Sequence, residues 1–553
     1  MKYISFRESN ISEEERKQHN KKYIEEKLIT EKEYFDKMYK NIDETIKLDD
    51  NQRKIILTDE DYVMVIAGAG SGKTTTITAK VNYLIEKQNI KDQEIVVITF
   101  TNKAVDELKE RINKEFKHKI KITTFHKLGY EIIKNNTNIP PKINNNKSEI
   151  LKDIITNKIK QNHGIGEKLL KYFKKQPCVV TKSKKFTDRK QNIMSQNDIN
   201  QITEEYATII SLLKANNKSI GELNKLETKN KLEKEIIEFS KAVYIEYNKK
   251  LESQNQIDYD DMINKATEII NKTKQLSQKY KTIIIDEYQD ISECRYKLIK
   301  TLSEKMNSKI MVVGDDWQCI YSFAASNINL FTQFKKNVPY CEILKIEHTY
   351  RNSQELINIA GKFIQKNSNQ IKKTLVSNKQ LEKPIKIINY KKDKIKHQIK
   401  QIIDYIIDKY GENKSILILG RYTNDIQKVI DNNEIKEENK KIIYKKHPEV
   451  KINYLTVHSS KGLGYDNVIL INAKDAKMGF PSKKQSNQII EQLTIKEKNI
   501  KYPEERRLFY VALTRTKNEM IIFSPKRKQS EFIKELKKYK NVEILSNIKS
   551  INK

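Results

Sequence analysis

Cysteine is scarce in this 553-residue chain, and the four present, Cys178, Cys294, Cys319 and Cys341, form no CxxC pair and no spacing suited to zinc. That argues against a disulfide scaffold or a zinc module, and reduced thiols in an intracellular protein are expected. Long apolar runs are missing too. None reaches the roughly 20 residues that span a bilayer, and the N-terminus MKYISFRESN has no apolar signal core. A soluble, cytoplasmic protein without a membrane partner is the expectation. Acidic charge is in the minority, with 73 Asp and Glu against 106 Lys and Arg, a net +33. A polyanion such as nucleic acid would gain from that excess, because each phosphate neutralised releases counterions. Lys, Asn and Ile are abundant throughout, so composition alone accounts for part of it. Hydrophobic residues make up only 37%, yet Ile-rich runs recur, and the length exceeds one ordinary core, so three or four domains are expected.

What is present is organised around Val63 to Thr75, VMVIAGAGSGKTT. It reads as a buried strand, a glycine-rich turn, and a helix with Ile77, Val81, Leu84 and Ile85 on one face. This is the layout of a phosphate-binding loop formed by Ala67, Gly68, Ala69, Gly70, Ser71, Gly72, Lys73, Thr74 and Thr75. Backbone N–H groups would surround nucleotide phosphates, Lys73 would neutralise the outer ones, and the Thr74 hydroxyl would ligate Mg²⁺. Ala67 stands where the usual pattern has Gly and still suits a tight loop. Gln52, about twenty residues upstream, has the one acceptor and two donors needed to read an adenine edge.

Around this loop the chain divides into a charged helical lead-in (1–47), an α/β sheet domain in two segments (48–129 and 256–337), a helical insertion (130–255), a second α/β domain (338–525) and a helical tail (526–553). Strands EIVVITF and KIKITTFH place Phe100, Thr124, Phe125 and His126 at the carboxyl edge of the first sheet, where ligands bind in such folds; the two Phe could equally be core. The insertion carries a basic loop, TKSKKFTDRK, with Lys182, Lys184, Lys185, Arg189 and Lys190, either a phosphate contact or a solvated charge run. KTIIIDEYQD is a buried strand ending in Asp286 and Glu287, one to hold hydrated Mg²⁺ and its neighbour to orient or deprotonate a water. KIMVVGDDWQCIYSF then places Gln318 to sense a γ-phosphate, with Phe323 just beyond. From about Val338 a second sheet is expected, beginning with strand CEILKIEHTYR and running to EMIIFS. It has no second phosphate-loop lysine and would complete the site with Arg351 and Arg515.

The ordered series AGAGSGKTT, TFTNKAVDELKERI, TTFHKLG, IIIDEYQD, VVGDDWQCIYSF, HTYRNS, LTVHSSKGLGYDNVIL and EERRLFYVALTRTK resembles the UvrD/Rep-like superfamily 1 DNA helicases over roughly residues 20 to 525. GDDWQ, FIQKN and GFPSKK are similar to the helicase IV branch. The resemblance implies two RecA-like P-loop parallel-sheet domains, 1A and 2A. It also implies a helical 1B insertion in the first and, because only about 100 residues separate Arg351 from His458, a reduced or absent 2B insertion in the second. It further implies an ATP-dependent 3′→5′ DNA helicase or single-strand translocase acting with ATP and Mg²⁺ in DNA repair. Its partners would be single-stranded DNA, single-strand/duplex junctions and possible further proteins. By the same resemblance Gln52 reads adenine and Tyr350 stacks near it. Lys73, Thr74, Asp286 and Glu287 form the hydrolysis centre; Gln318, Arg351 and Arg515 meet the γ-phosphate; and Phe100, Thr124, His126, Phe323 and His458 contact the strand. The chain departs from the family pattern at Gly464, where a ribose-contacting Glu is common, at Phe323, often Trp, and at Ala324, often Arg. The alternatives are a translocase that displaces proteins or acts on RNA or RNA polymerase without unwinding, and a defence-complex subunit in which ATP is a switch.

Overall fold

A computed structural model describes residues 1–553 except 41, 175–193, 392–393, 432, 439–440, 485, 496, 498–499 and 546–553. Cys178 and the basic loop from Thr181 to Lys190 lie outside the described residues. Cys294, Cys319 and Cys341 are buried free thiols. Among the described residues no helix is long and apolar enough to cross a membrane.

The first half contributes strands β1 (Tyr62–Ala67), β2 (Ile95–Thr99), β3 (Lys121–Thr124), the short pair β4 (Lys142–Ile143) and β5 (Gln256–Ile257), then β6 (Thr282–Ile285), β7 (Lys309–Gly314) and β8 (Glu342–Ile346). Six of them form one parallel sheet in the order β3-β2-β6-β7-β1-β8. β2 and β6 are buried along their whole length, as continuous Ile/Val runs require of a sheet covered on both faces. Val63, Val65, Val97 and Ile284 pack with Ile77 and Val81 on one face, and Met64, Ile66, Val96, Ile98, Ile283 and Ile285 join the core of the helical insertion on the other. Pairing of Ile66 with Gly314 and of Ile285 with Val312 brings the carboxyl ends of β1, β6 and β7 to one edge.

The insertion is built from helices Lys147–Gln161, His163–Lys174, Gln196–Ala215 and Lys231–Ser253, and β4–β5 closes its base. The lead-in helix Glu13–Thr30 starts on a Ser12/Glu15 capping box, and Tyr23 faces inward. Phe35, Tyr39, Ile56, Leu57 and Tyr83 form one apolar cluster, so the lead-in packs against the first domain.

The second half supplies β9 (Ile385–Tyr390), β10 (Ile416–Gly420), β11 (Ile435–Glu438), β12 (Lys441–Tyr444), β13 (Ile452–Thr456), β14 (Asn467–Leu470), β15 (Met520–Pro525) and β16 (Val542–Leu545). They form one sheet in the order β11-β12-β13-β10-β14-β15-β9-β16, parallel except for the antiparallel pairings of β12 with β11 and β13. Helices Gln354–Ile364, Ile395–Tyr410 and Pro503–Leu513 contribute to its covering layers. Helix Gln488–Leu493 leaves this domain and docks on the insertion. Ile489, Ile490 and Leu493 join the insertion's core, and Glu227 N–H donates to Gln492 Oε1 at 2.8 Å.

Two expectations are corrected. The sequence pattern puts Glu342–Ile346 in the second sheet, but this strand pairs in parallel with β1, Val65 opposite Leu344, and so the first sheet extends past residue 337. Its alternating exposure is that of an edge strand, and only long-range pairing decides which edge it takes. The segment after residue 525 is not merely a helical tail. Phe532, Ile533 and Leu536 enter the second core, and β16 adds to β9 as an edge strand.

Candidate nucleotide and nucleic-acid cleft

The loop after β1 turns through two left-handed glycines, Gly70 (φ 72°) and Gly72 (φ 79°), before helix Lys73–Glu86 begins. At Gly70 the geometry is obligatory, since a Cβ there would come within 2.5 Å of Arg351 Cβ. The loop is already held by the second half of the chain. Tyr350 N–H donates to Gly70 O at 3.0 Å, and Thr349 Oγ1 donates to Ala69 O at 2.7 Å. A cleft of about 890 Å³ runs from this loop to the opposite side of the interface. Lys73, Thr74, Asp286, Glu287, Gln318, Arg351 and Arg515 line it, together with Phe100, Tyr350 and His458.

At one end, Gln52 is buried and donates to Thr76 Oγ1 at 3.1 Å, while its Oε1 caps its own helix through Asp49 N–H. Its Nε2 lies 2.9 Å from where a Cβ on Gly72 would stand. The Tyr350 ring is 46% exposed, with its hydroxyl donating to Asp49 at 3.2 Å, and it lines the cleft with a face open to a flat ring, whereas both polar atoms of the buried Gln52 amide are engaged within the first domain.

At the centre, Lys73 Nζ donates to Glu287 Oε1 at 2.7 Å. Glu287 has φ 52°, an αL backbone that a Glu adopts only at a cost, stored where the chain leaves β6. Burial alone would raise its carboxyl, but Lys73 and then Lys461, 3.8 Å away, hold it well below the usual range. The neighbouring Asp286 carboxyl is pushed up, first by burial and then by Glu287. Lys461 comes from the second domain and pairs with the buried Asp290, whose Oδ1 has no hydrogen-bond partner. Thr74 and Asp286 are hard oxygen donors on the phosphate side, the set that Mg²⁺ takes in company with phosphate oxygens, and a buried carboxyl pushed up beside a second acid is a site short of cation charge.

From the second domain two guanidiniums converge on this centre. Arg515 is fully buried and donates from Nε to Val511 O at 2.8 Å, from one terminal nitrogen to Leu463 O at 3.0 Å, and from the other to Gln318 Oε1 at 3.1 Å. Burial first, and then Arg351, push it down to about 9, so a polyanion between the two arginines would be strongly stabilised. A Cβ on Gly464 would lie 2.9 Å from Arg351 Nε; the residue that departs from the family pattern makes the room this guanidinium occupies.

On the far side Phe323 is 58% exposed, its ring edge-on to His458 at 5.7 Å and to Tyr321 at 5.9 Å. Phe125 is core, whereas Phe100 is half-buried, 5.1 Å from it, and lines the cleft with Arg295 over its ring. Thr124 is buried, and its hydroxyl accepts from Lys127 N–H to cap a helix. His126 stands edge-on to Tyr259, a 51% exposed ring that the sequence reading missed. Its signal was there, since YDDM opens a capped helix just after β5 with an aromatic at the first position.

His126 and His458 are both pushed down to about 4, mainly by burial, with Arg295 opposing charge on the first and Arg421 on the second. The unfolded chain protonates near 6.5. Stability from these groups is therefore complete above that value and is lost as pH falls toward 4. The thermal midpoint of His458→Asn should fall less steeply than that of the wild type between pH 6.5 and 4; parallel curves would contradict the assignment.

Residues 48–339 match the family model described as the UvrD/REP helicase N-terminal domain, and residues 420–527 match the UvrD-like helicase C-terminal domain. The chain is 27% identical over 548 residues to DNA helicase IV of Escherichia coli, covering 95% of this chain and 74% of that protein. It is 30% identical over 464 residues to the ATP-dependent DNA helicase Rep of Buchnera aphidicola from Acyrthosiphon pisum, covering 78% and 64%, and 27% identical over 345 residues to PcrA of Staphylococcus aureus, covering 59% and 40%. The chain thus spans less than two thirds of the Rep and PcrA relatives.

Proposed function

The chain belongs to the UvrD/Rep helicase family, and on that premise we propose that it is an ATP-driven motor that moves 3′→5′ along single-stranded DNA and parts duplexes at single-strand junctions. The observation that carries the reading is the shared cleft: Lys73, Asp286, Glu287, Gln318, Arg351 and Arg515 line it together with the aromatics Phe100, Tyr321 and His458, and the exposed Phe323 ring stands edge-on to His458.

Lys73 rests on Glu287 in the structure. Phosphate entering the loop competes for that ammonium and frees an ionised carboxylate to take a proton from the attacking water. Thr74 and Asp286 would hold Mg²⁺, which neutralises phosphate oxygens when bound. Arg351 and Arg515 come from the second domain, so charge on the γ-phosphate pulls the two sheets together and its loss lets them part. Bases stacking on Phe323 and Phe100 are gripped without regard to sequence, at roughly 1–3 kcal/mol each, as stepping along any strand requires.

The test is displacement of strands from 3′-tailed and 5′-tailed duplexes beside ATP turnover with and without single-stranded DNA. Displacement from the 3′-tailed substrate alone, with turnover stimulated by DNA, is expected. Turnover indifferent to DNA would sink the motor reading, and displacement only from the 5′-tailed substrate would reverse the polarity.

A further inference from the structure

We propose that Lys373 is a positioning residue for ATP hydrolysis, setting the orientation of the Gln318 amide through Asp315; this rests on the functional reading above. Lys373 belongs to the second domain, in the loop between helix Gln354–Ile364 and β9, yet its ammonium is seated in the first. It pairs with Asp315 and, at 2.7 Å, with Asp316. Its side chain is 2% exposed and both carboxylates are fully buried. Among the described residues it is the one cation ion-paired to either acid.

Asp315 is the node. Its Oδ2 accepts from Gln318 Nε2 at 2.6 Å, and Gln318 Oε1 accepts from Arg515 at 3.1 Å. The amide is therefore fixed at both ends, donor toward Asp315 and acceptor toward the arginine. Asp315 N–H also donates to Gln289 Oε1 at 2.9 Å, and Gln289 Nε2 donates to Glu287 at 2.5 Å, so the same residue holds the partner of the base. The loop that brings Lys373 is docked for the purpose. Trp317 Nε1 donates to Ile371 O at 3.0 Å, Ile371 N–H donates to Asp316 at 2.7 Å, and the ammonium lies 4.6 Å from the Trp317 ring.

Two adjacent buried carboxylates keep their charge only at a cost that a shared cation offsets. Burial pushes the Asp316 carboxyl up while Lys373 draws it down, and the same ammonium anchors Asp315. Remove it and the Asp315 carboxylate is no longer tethered from the second domain, so the Gln318 amide it holds is released to turn its NH₂ toward Arg515, where donor meets donor. The consequence is a hydrolysis defect rather than a loss of nucleotide binding, because Lys373 touches neither the phosphate loop nor Gln52.

The experiment compares Lys373→Met, Lys373→Gln and Lys373→Arg, alone and combined with Gln318→Ala, in ATP turnover and in binding of a fluorescent ATP analogue. We expect kcat about tenfold or more below wild type for Met and Gln, from loss of a charge-assisted contact. Analogue affinity should stay within about threefold, and Arg should restore most of the rate. On the Gln318→Ala background Lys373→Gln should cost nothing further, since both act on one amide. Full turnover in the Gln variant, or losses that multiply in the double variant, would overturn the proposal. The Gln variant keeps a hydrogen-bonding side chain should Met fail to fold. Basal turnover suffices for this cycle, so an absence of DNA stimulation, which counts against the motor, leaves the comparison readable.

Discussion

Lys73→Ala is expected to lower ATP turnover by about 10³-fold or more while binding of single-stranded DNA stays within a few-fold of wild type. A single preorganised electrostatic donor is worth on the order of 10²–10³ in rate, and Lys73 does two things at once. It is the proposed cation of the phosphate loop, and its 2.7 Å contact with Glu287, ahead of Lys461, keeps the proposed base ionised in a site where burial would otherwise neutralise it. The strand side of the cleft has its own residues, Phe323, Tyr321, His458 and Phe100, none of which touches Lys73, so DNA affinity is a fair control for folding. Turnover of the variant within tenfold of wild type, measured with saturating DNA, would remove Lys73 from the reaction.

Much of this site is legible before any coordinates, for a physical reason. A parallel sheet buried on both faces must be written as Ile/Val runs, and each run ends where the polar chemistry begins, so AGAGSGKT, DEYQD and GDDWQ announce their strands and the place of the roles proposed for them. Edge strands have no such signature. Glu342–Ile346 and Val542–Leu545 are short and half-exposed, and membership in a sheet depends on pairing with β1 and β9 across long stretches of chain. Side-chain capping was equally hidden, since Thr124 sits at a strand end like any ligand contact and spends its hydroxyl on a helix. Lys373 is the clearest case. It is one of 106 basic residues, adjacent to another lysine, and only the packed interface shows that its ammonium is buried against two acids while Lys372 stays outside.

Arg515→Ala should reduce kcat by about 10³ to 10⁵, the range for an arginine that stabilises transferring phosphoryl charge. Analogue binding should change far less, because Lys73 and the loop amides remain. The guanidinium crosses from the second domain to Gln318 at 3.1 Å and is held in place by Val511 O and Leu463 O, so it is aimed before the substrate arrives. Its removal also unpairs the half-buried Leu463 O, at about 1–3 kcal/mol, while Val511 O keeps Thr514 Oγ1 at 3.2 Å. Some fall in thermal midpoint is thus expected, and retained analogue binding is the proof that the fold survives. Arg515→Lys should not recover the rate, since an ammonium cannot reach two carbonyls and the Gln318 amide in one planar fork. Binding and kcat falling in equal proportion would make Arg515 a mere nucleotide anchor, and a kcat within tenfold of wild type would leave Arg351 as the one guanidinium that feels the γ-phosphate. The separated outcome, binding kept and turnover gone, is what a motor needs. The charge that exists only during phosphoryl transfer is then met by a residue of the opposite sheet, so hydrolysis and the relative position of the two sheets cannot be uncoupled.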